Sequence, residues 1–161
     1  AGDDRRPVMS VLLSILGGSM SSRLFQEIRE KRGLAYTTYA FDSPYSDTGA
    51  WGMYAGTAPE RASEVEKLMQ AELEKLAATG PREDELARVR GQLRGGMALG
   101  LEDTLSRMSR LGRAELSGRY FTVDAALARI EAVQAEDVRG LAQELAGRCV
   151  FTAEVVPEDR A

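Results

Sequence analysis

Apolar positions recur at helical spacing along most of this chain and alternate only in its first third. Residues 7–16 are almost continuously apolar, broken by Ser10 and Ser14, with Pro7 at the start and Gly17-Gly18 after the end. That pattern predicts a short helix with proline in its first turn and glycine at its stop. Residues 21–32 place Leu24, Phe25 and Ile28 on one stripe, with Ser19, Ser21 and Ser22 as candidate caps and Gly33 as terminator. Glu27 and Lys31 form an i, i+4 pair there, worth only ~0.3 kcal/mol. The stretch 35–41, Ala-Tyr-Thr-Thr-Tyr-Ala-Phe, is rich in strand formers. A turn over 43–49 comes next, then a second strand over 50–57, with Trp51, Met53 and Ala55 on one face and Gly52, Tyr54 and Gly56 on the other. The two strands are expected to pair as an antiparallel hairpin.

Beyond the hairpin the period returns to helical. Val65, Leu68, Met69, Leu73 and Leu76 mark a helix over 59–78, stopped by Gly80-Pro81. A long helix is expected over 82–116, bent near Gly95-Gly96 or Gly100. Glu83, Asp84 and Glu85 suit its N-terminus, and Arg107, Arg110 and Arg113 a solvated face. Thr122 caps a short helix to 132, another spans 135–146, and 148–156 reads as a final strand with Cys149 as a small buried hydrophobe. Two paired strands, then helices, then one strand give an α+β fold, an antiparallel sheet with helices packed on one face. Three strands make a thin sheet, which a further strand before Ala1 would widen. The length suits a single domain over 1–161, and the start Ala-Gly-Asp-Asp without a methionine leads us to expect a processed chain or a piece of a longer one.

Composition narrows the chemistry. Net charge is −4 with a pI near 5.1, against the basic stripe that nucleic-acid binding needs. The apolar run at 8–16 is too short to span a bilayer, so neither a nucleic-acid nor a membrane partner is expected. The single cysteine permits no internal disulfide, which points to a reducing cytoplasm. The only lysines are Lys31, Lys67 and Lys75, an arginine bias of high-GC bacterial genomes. There is no histidine. That excludes Ser-His-Asp and Cys-His catalysis and the usual histidine-rich zinc sites, so no metal is expected on this chain.

The densest local signal runs from Leu16 to Tyr36: a glycine loop, a helix with a cationic last turn, and a strand carrying tyrosines. Arg29 and Tyr36, seven residues apart across the helix-to-strand corner, can face one cleft and donate to a carbonyl oxygen that gains charge during attack. The same residues also suit a plainer role, with Arg29, Lys31 and Arg32 complementing the helix dipole and Tyr36 half-buried in its strand.

Leu-Gly-Gly-Ser-Met-Ser-Ser-Arg-Leu-Phe (16–25) with Glu-Ile-Arg-Glu-Lys-Arg-Gly-Leu-Ala-Tyr (27–36) resembles the start of the second homologous domain of pitrilysin-family zinc metallopeptidases, in their bacterial processing-peptidase-like branch. Asp47-Thr48-Gly49, Tyr54-Ala55-Gly56-Thr57, Gly100-Leu101-Glu102-Asp103-Thr104 and Ser106-Arg107-Met108 extend the resemblance over nearly the whole chain. It implies a metalloendopeptidase of two related α+β domains that clamp a peptide substrate. The N-terminal domain holds zinc through a His-x-x-Glu-His motif that is absent here. The second domain supplies an arginine and a tyrosine that bind the substrate backbone and stabilise the oxyanion, matching Arg29 and Tyr36. Gly17, Gly18 and Ser19 match a substrate-binding glycine loop, here shorter. The resemblance thus implies a half-enzyme, inactive alone, or alternatively a non-catalytic scaffold subunit. An apolar face left bare without the partner domain leads us to expect a homo-oligomer.

Overall fold

The computed structural model describes residues 4–45 and 47–156. Ser46 of the expected turn, together with the ends of the family resemblance at Asp3 and Pro157, lies outside the described residues. Helix α1 (Arg6–Gly17) is apolar apart from the line Arg6, Ser10 and Ser14, and every residue from Val11 to Gly17 is buried, with Val11, Leu12, Ile15 and Leu16 almost wholly so. A helix of that kind must run through the middle of a core, and α1 packs against strand, helix and helix at once.

After a short serine loop the chain forms a π-helix (Phe25–Glu30) rather than a regular α-helix. The widening shows in the backbone: Lys31 N–H donates to Gln26 O at 3.0 Å, a five-residue step, and Leu34 N–H reaches back to Ile28 O at 2.9 Å. Gly33, at φ +60°, reverses the chain into β1. Strands β1 (Ala35–Pro44) and β2 (Gly49–Thr57) pair antiparallel in the register Tyr39 to Tyr54 and Phe41 to Gly52, with an irregularity between Ala35 and Thr37. Trp51, Met53 and Ala55 point into the core as their alternation requires, while Tyr39, Phe41 and Tyr54 are exposed on the other face. The helices therefore cover one face of the sheet.

A 3₁₀ turn (Pro59–Arg61) leads into α2 (Ala62–Thr79), followed by α3 (Glu83–Glu102), α4 (Thr104–Ser117), α5 (Val123–Glu131) and α6 (Ala135–Ala146). The main core joins α1 to Leu73 and Leu76 of α2, Leu86 and Val89 of α3, and Val138, Leu141 and Ala142 of α6. A smaller cluster of Leu24, Ile28, Ala35 and Val65 fixes the π-helix and β1 onto α2. Among the described residues no helix is long and apolar enough to cross a membrane.

Three expectations are corrected. The helix over 82–116 runs uninterrupted through Gly95, Gly96 and Gly100. It breaks at Asp103, whose extended backbone (ψ 125°) ends α3 and whose carboxylate caps α4 by accepting Ser106 N–H at 2.7 Å. An extended residue with a capping side chain interrupts a helix more sharply than a glycine that keeps helical dihedrals. The expected last strand over 148–156 is not a strand in this structure: the described sheet has two strands, and this segment has no ladder partner among the described residues. β-formers give a strand only where another backbone accepts their hydrogen bonds. For the same reason Cys149 is exposed rather than buried.

Candidate functional site

The corner where the π-helix turns into β1 brings Arg29 and Tyr36 together. The Arg29 guanidinium carbon lies 4.7 Å from the centre of the Phe25 ring and 5.0 Å from that of Tyr36. One cation is thus held between two aromatic faces, each contact worth ~0.5–1 kcal/mol at a surface. Phe25 is one helical turn before Arg29, and Tyr36 reaches it because Gly33 folds β1 back along the helix end. Among the described residues no carboxylate pairs with Arg29 and no group bonds the Tyr36 hydroxyl. Tyr36 is 80% exposed. Rings fix the guanidinium while its N–H donors stay unspent, and a phenol O–H stands beside it.

Neighbouring charges are occupied elsewhere. Glu27 accepts from Lys31 at 2.9 Å and from Arg32 at 2.7 Å. Hydrogen bonds from Lys31 and then Arg32 lower its carboxyl to about 2. The cationic last turn expected from sequence is therefore real, but Lys31 and Arg32 neutralise Glu27 while Arg29 stacks apart from them.

The corner is clamped from several sides. Arg61 donates to Gly33 O at 2.8 Å and Thr57 to Leu34 O at 2.5 Å. At the other end of the π-helix, Arg23 makes a two-pronged bond to Glu85 (2.9 and 2.8 Å) and also donates to Gly80 O at 3.2 Å. Glu85 takes a further bond from Arg82 N–H at 2.9 Å. Burial alone would raise the Glu85 carboxyl. The bonds from Arg23 and the Arg82 backbone outweigh it and hold the group below its ordinary value. Arg23, Thr57, Arg61 and Glu85 were not singled out by sequence as positioning groups. Only the place of Glu85 three residues after Arg82, a capping spacing, was a usable signal.

Gly17 ends α1 and Gly18 and Ser19 follow it, with Gly17 against Tyr39 and Ala40 of β1, and among the described contacts none joins them to Arg29 or Tyr36. A Cβ on Gly17 would lie 2.2 Å from Ala40 N and 2.7 Å from the Tyr39 carbonyl carbon, so glycine is what lets α1 close onto β1. The loop carbonyls are already used: Gln92 donates to Gly18 O, Ser22 to Ser19 O, Gln26 to Met20 O and Arg88 to Ser21 O. The loop is thereby tied to α3 and the π-helix. Among the described residues no three His, Cys, Asp or Glu side chains converge on a point where a metal could bind.

Comparison with known proteins gives a consistent picture. The family model described as "Peptidase M16 inactive domain" matches residues 1–93. An uncharacterized zinc protease of Streptomyces coelicolor is 49% identical over 147 residues, which are 91% of this chain and 32% of that protein. The crystal structure of a peptidase M16 inactive domain from Pseudomonas fluorescens superposes with a TM-score of 0.80 at 24% identity, over 88% of this chain and 34% of that one. An inactive peptidase domain from Bordetella parapertussis gives a TM-score of 0.74 at 20% identity, over 89% of this chain and 78% of its own. The chain spans about a third of the length of the curated relatives it matches.

Proposed function

This chain belongs to the M16 peptidase inactive-domain family, and from that membership we propose that it is the substrate-binding second domain of a zinc-dependent metalloendopeptidase. The observation that carries the proposal is the Arg29–Tyr36 pair: a guanidinium pinned by two rings with its donors free, beside a solvent-facing phenol. An arginine kept only for stability is usually spent on a carboxylate, as Arg23 is on Glu85. The free donors suit a peptide carbonyl oxygen. They are fixed before substrate arrives, so they cost little reorganisation when charge develops on that oxygen.

On this reading the zinc belongs to an N-terminal domain of the same polypeptide or of a partner. This chain contributes peptide binding and oxyanion stabilisation, with Arg29 and Tyr36 as its donors. Gly17, Gly18 and Ser19 share in substrate binding by shaping the loop between α1 and the π-helix. The close approach of Gly17 to β1 gives that residue a second reason to be glycine.

The test is steady-state peptide hydrolysis by the two-domain enzyme. Arg29→Ala and Tyr36→Phe are each expected to lower kcat by ~10²–10³ while KM changes less, the signature of a donor used mainly in the transition state. Full activity in both variants rejects the assigned roles. An intact two-domain protein that binds peptide but never hydrolyses it favours the scaffold alternative.

A further inference from the structure

The π-helix has two large apolar residues, and the core uses only one of them. Ile28 is wholly buried in the smaller cluster. Phe25 is half-buried and joins neither core cluster. A ring placed in a core would stabilise the fold through its buried area, and Phe25 largely forgoes that. What its ring does meet is the Arg29 guanidinium, 4.7 Å from the ring centre.

Arg29 gains most from that contact. An arginine without an acid partner spreads over many rotamers, so its donors are seldom in one place. The acid two residues before it in the chain is already taken, because Glu27 accepts from Lys31 and Arg32. Phe25 and Tyr36, at 4.7 and 5.0 Å, are what hold the guanidinium instead. The turn that carries Phe25 and Arg29 is the wide one, in which Lys31 N–H bonds to Gln26 O five residues back. Winding of that kind is concentrated at functional sites.

We propose that Phe25 is a positioning residue for peptide hydrolysis and acts through Arg29. Its ring face, together with that of Tyr36, keeps the guanidinium in place for the substrate carbonyl. The proposal rests on the reading of Arg29 as a substrate-facing donor. Position 25 then needs a π face rather than apolar volume. Leucine and methionine fill the space without a ring quadrupole, whereas tyrosine and tryptophan keep one. A ring wanted only for packing would rank the four the other way, with the bulkier, polar-tipped pair serving worst.

Kinetics of the full-length polypeptide test it. Phe25→Leu and Phe25→Met should lower kcat by ~2–5-fold, the population change that one surface cation–π contact supports. Their KM and unfolding temperature should stay near those of the parent. Phe25→Tyr and Phe25→Trp should keep the parental kcat. The Arg29 Nε–H nuclear magnetic resonance, assigned by its loss in Arg29→Lys, gives a readout independent of turnover. The Phe25 ring current should shift it, and that shift should vanish in Phe25→Leu and persist in Phe25→Trp. A resonance that ignores Phe25→Leu overturns the proposal. A large fall in unfolding temperature in both Phe25→Leu and Phe25→Met marks a ring needed for the fold and overturns it too. Parental kcat in those two variants, with Arg29→Ala slow, rejects the role of Phe25 and leaves that of Arg29 standing. Full activity in Arg29→Ala rejects the reading of Arg29 itself, and Phe25 loses its part in hydrolysis with it.

Discussion

Replacing Arg23 by methionine should unfold this domain early, and the pH dependence of the loss identifies the cause. The Arg23 and Glu85 side chains are 12% and 5% exposed and joined by two short bonds. Without Arg23, the Glu85 carboxylate keeps the bond from Arg82 N–H and the exposed Arg82 guanidinium at 3.8 Å, and remains out of water. Leaving one partner of a buried pair uncompensated costs about 3–5 kcal/mol. For a chain of this size each kcal/mol moves the unfolding temperature by ~2–4 °C, so a fall of about 6–20 °C is expected at pH 7. The two proteins respond to pH to different degrees. In the parent, the folded-state Glu85 carboxyl lies below its unfolded value, so its contribution is present above the ordinary carboxylate range and is lost on acidification. In Arg23→Met the two Arg23 bonds are gone and only Arg82 still opposes burial, so the carboxyl rises relative to the parent. Acidification then costs the variant less than it costs the parent. The gap between the two should therefore narrow from pH 7 to pH 4, read by circular-dichroism melts at both. The double variant Arg23→Met/Glu85→Leu should be more stable than the sum of the single losses, because no charge is stranded. A single variant within 1 kcal/mol of the parent, or a gap that ignores pH, refutes the buried-pair account.

Two further outcomes are expected. Gly17→Ala places a methyl against the backbone of Tyr39 and Ala40, and overpacking of that kind costs ~1–3 kcal/mol or more; a denaturation midpoint matching the parent would mean that α1 and β1 part easily. Glu27, its carboxyl lowered to about 2 by Lys31 and Arg32, stabilises the fold fully above its unfolded value near 4.5 and loses that contribution as pH falls toward 2. Glu27→Gln should flatten acid unfolding across that window, and an unchanged profile excludes the pair as a source of stability.

Much of the fold was legible because local patterns and tertiary packing agree. The Trp51, Met53, Ala55 alternation pointed to the core face of β2, and the glycine pair after Leu16 marked the end of α1. The errors came where local propensity had to be completed by something distant. Residues 148–156 carry strand formers, but strand formation depends on a partner backbone. Glycines at 95, 96 and 100 looked like a bend, yet they keep helical geometry, and the break falls at Asp103, whose side chain caps α4. The candidate site was half legible: the Arg29 and Tyr36 spacing suggested a shared corner, but the ring of Phe25 that completes the clamp was read only as helix stripe.

The residues in order were enough to assign helices and hairpin, the absence of a histidine-based site on this chain, and the family resemblance. These are properties of periodicity and residue type, which do not depend on what folds against what. Only the tertiary structure decided that the helix before β1 winds wide, that Arg23 is buried on Glu85 sixty-two residues away, and that Arg29 is held by rings with its donors free. Those outcomes depend on which surfaces meet, and the free energy of a charge or a ring contact is set by the surroundings it is buried in rather than by its neighbours in the chain.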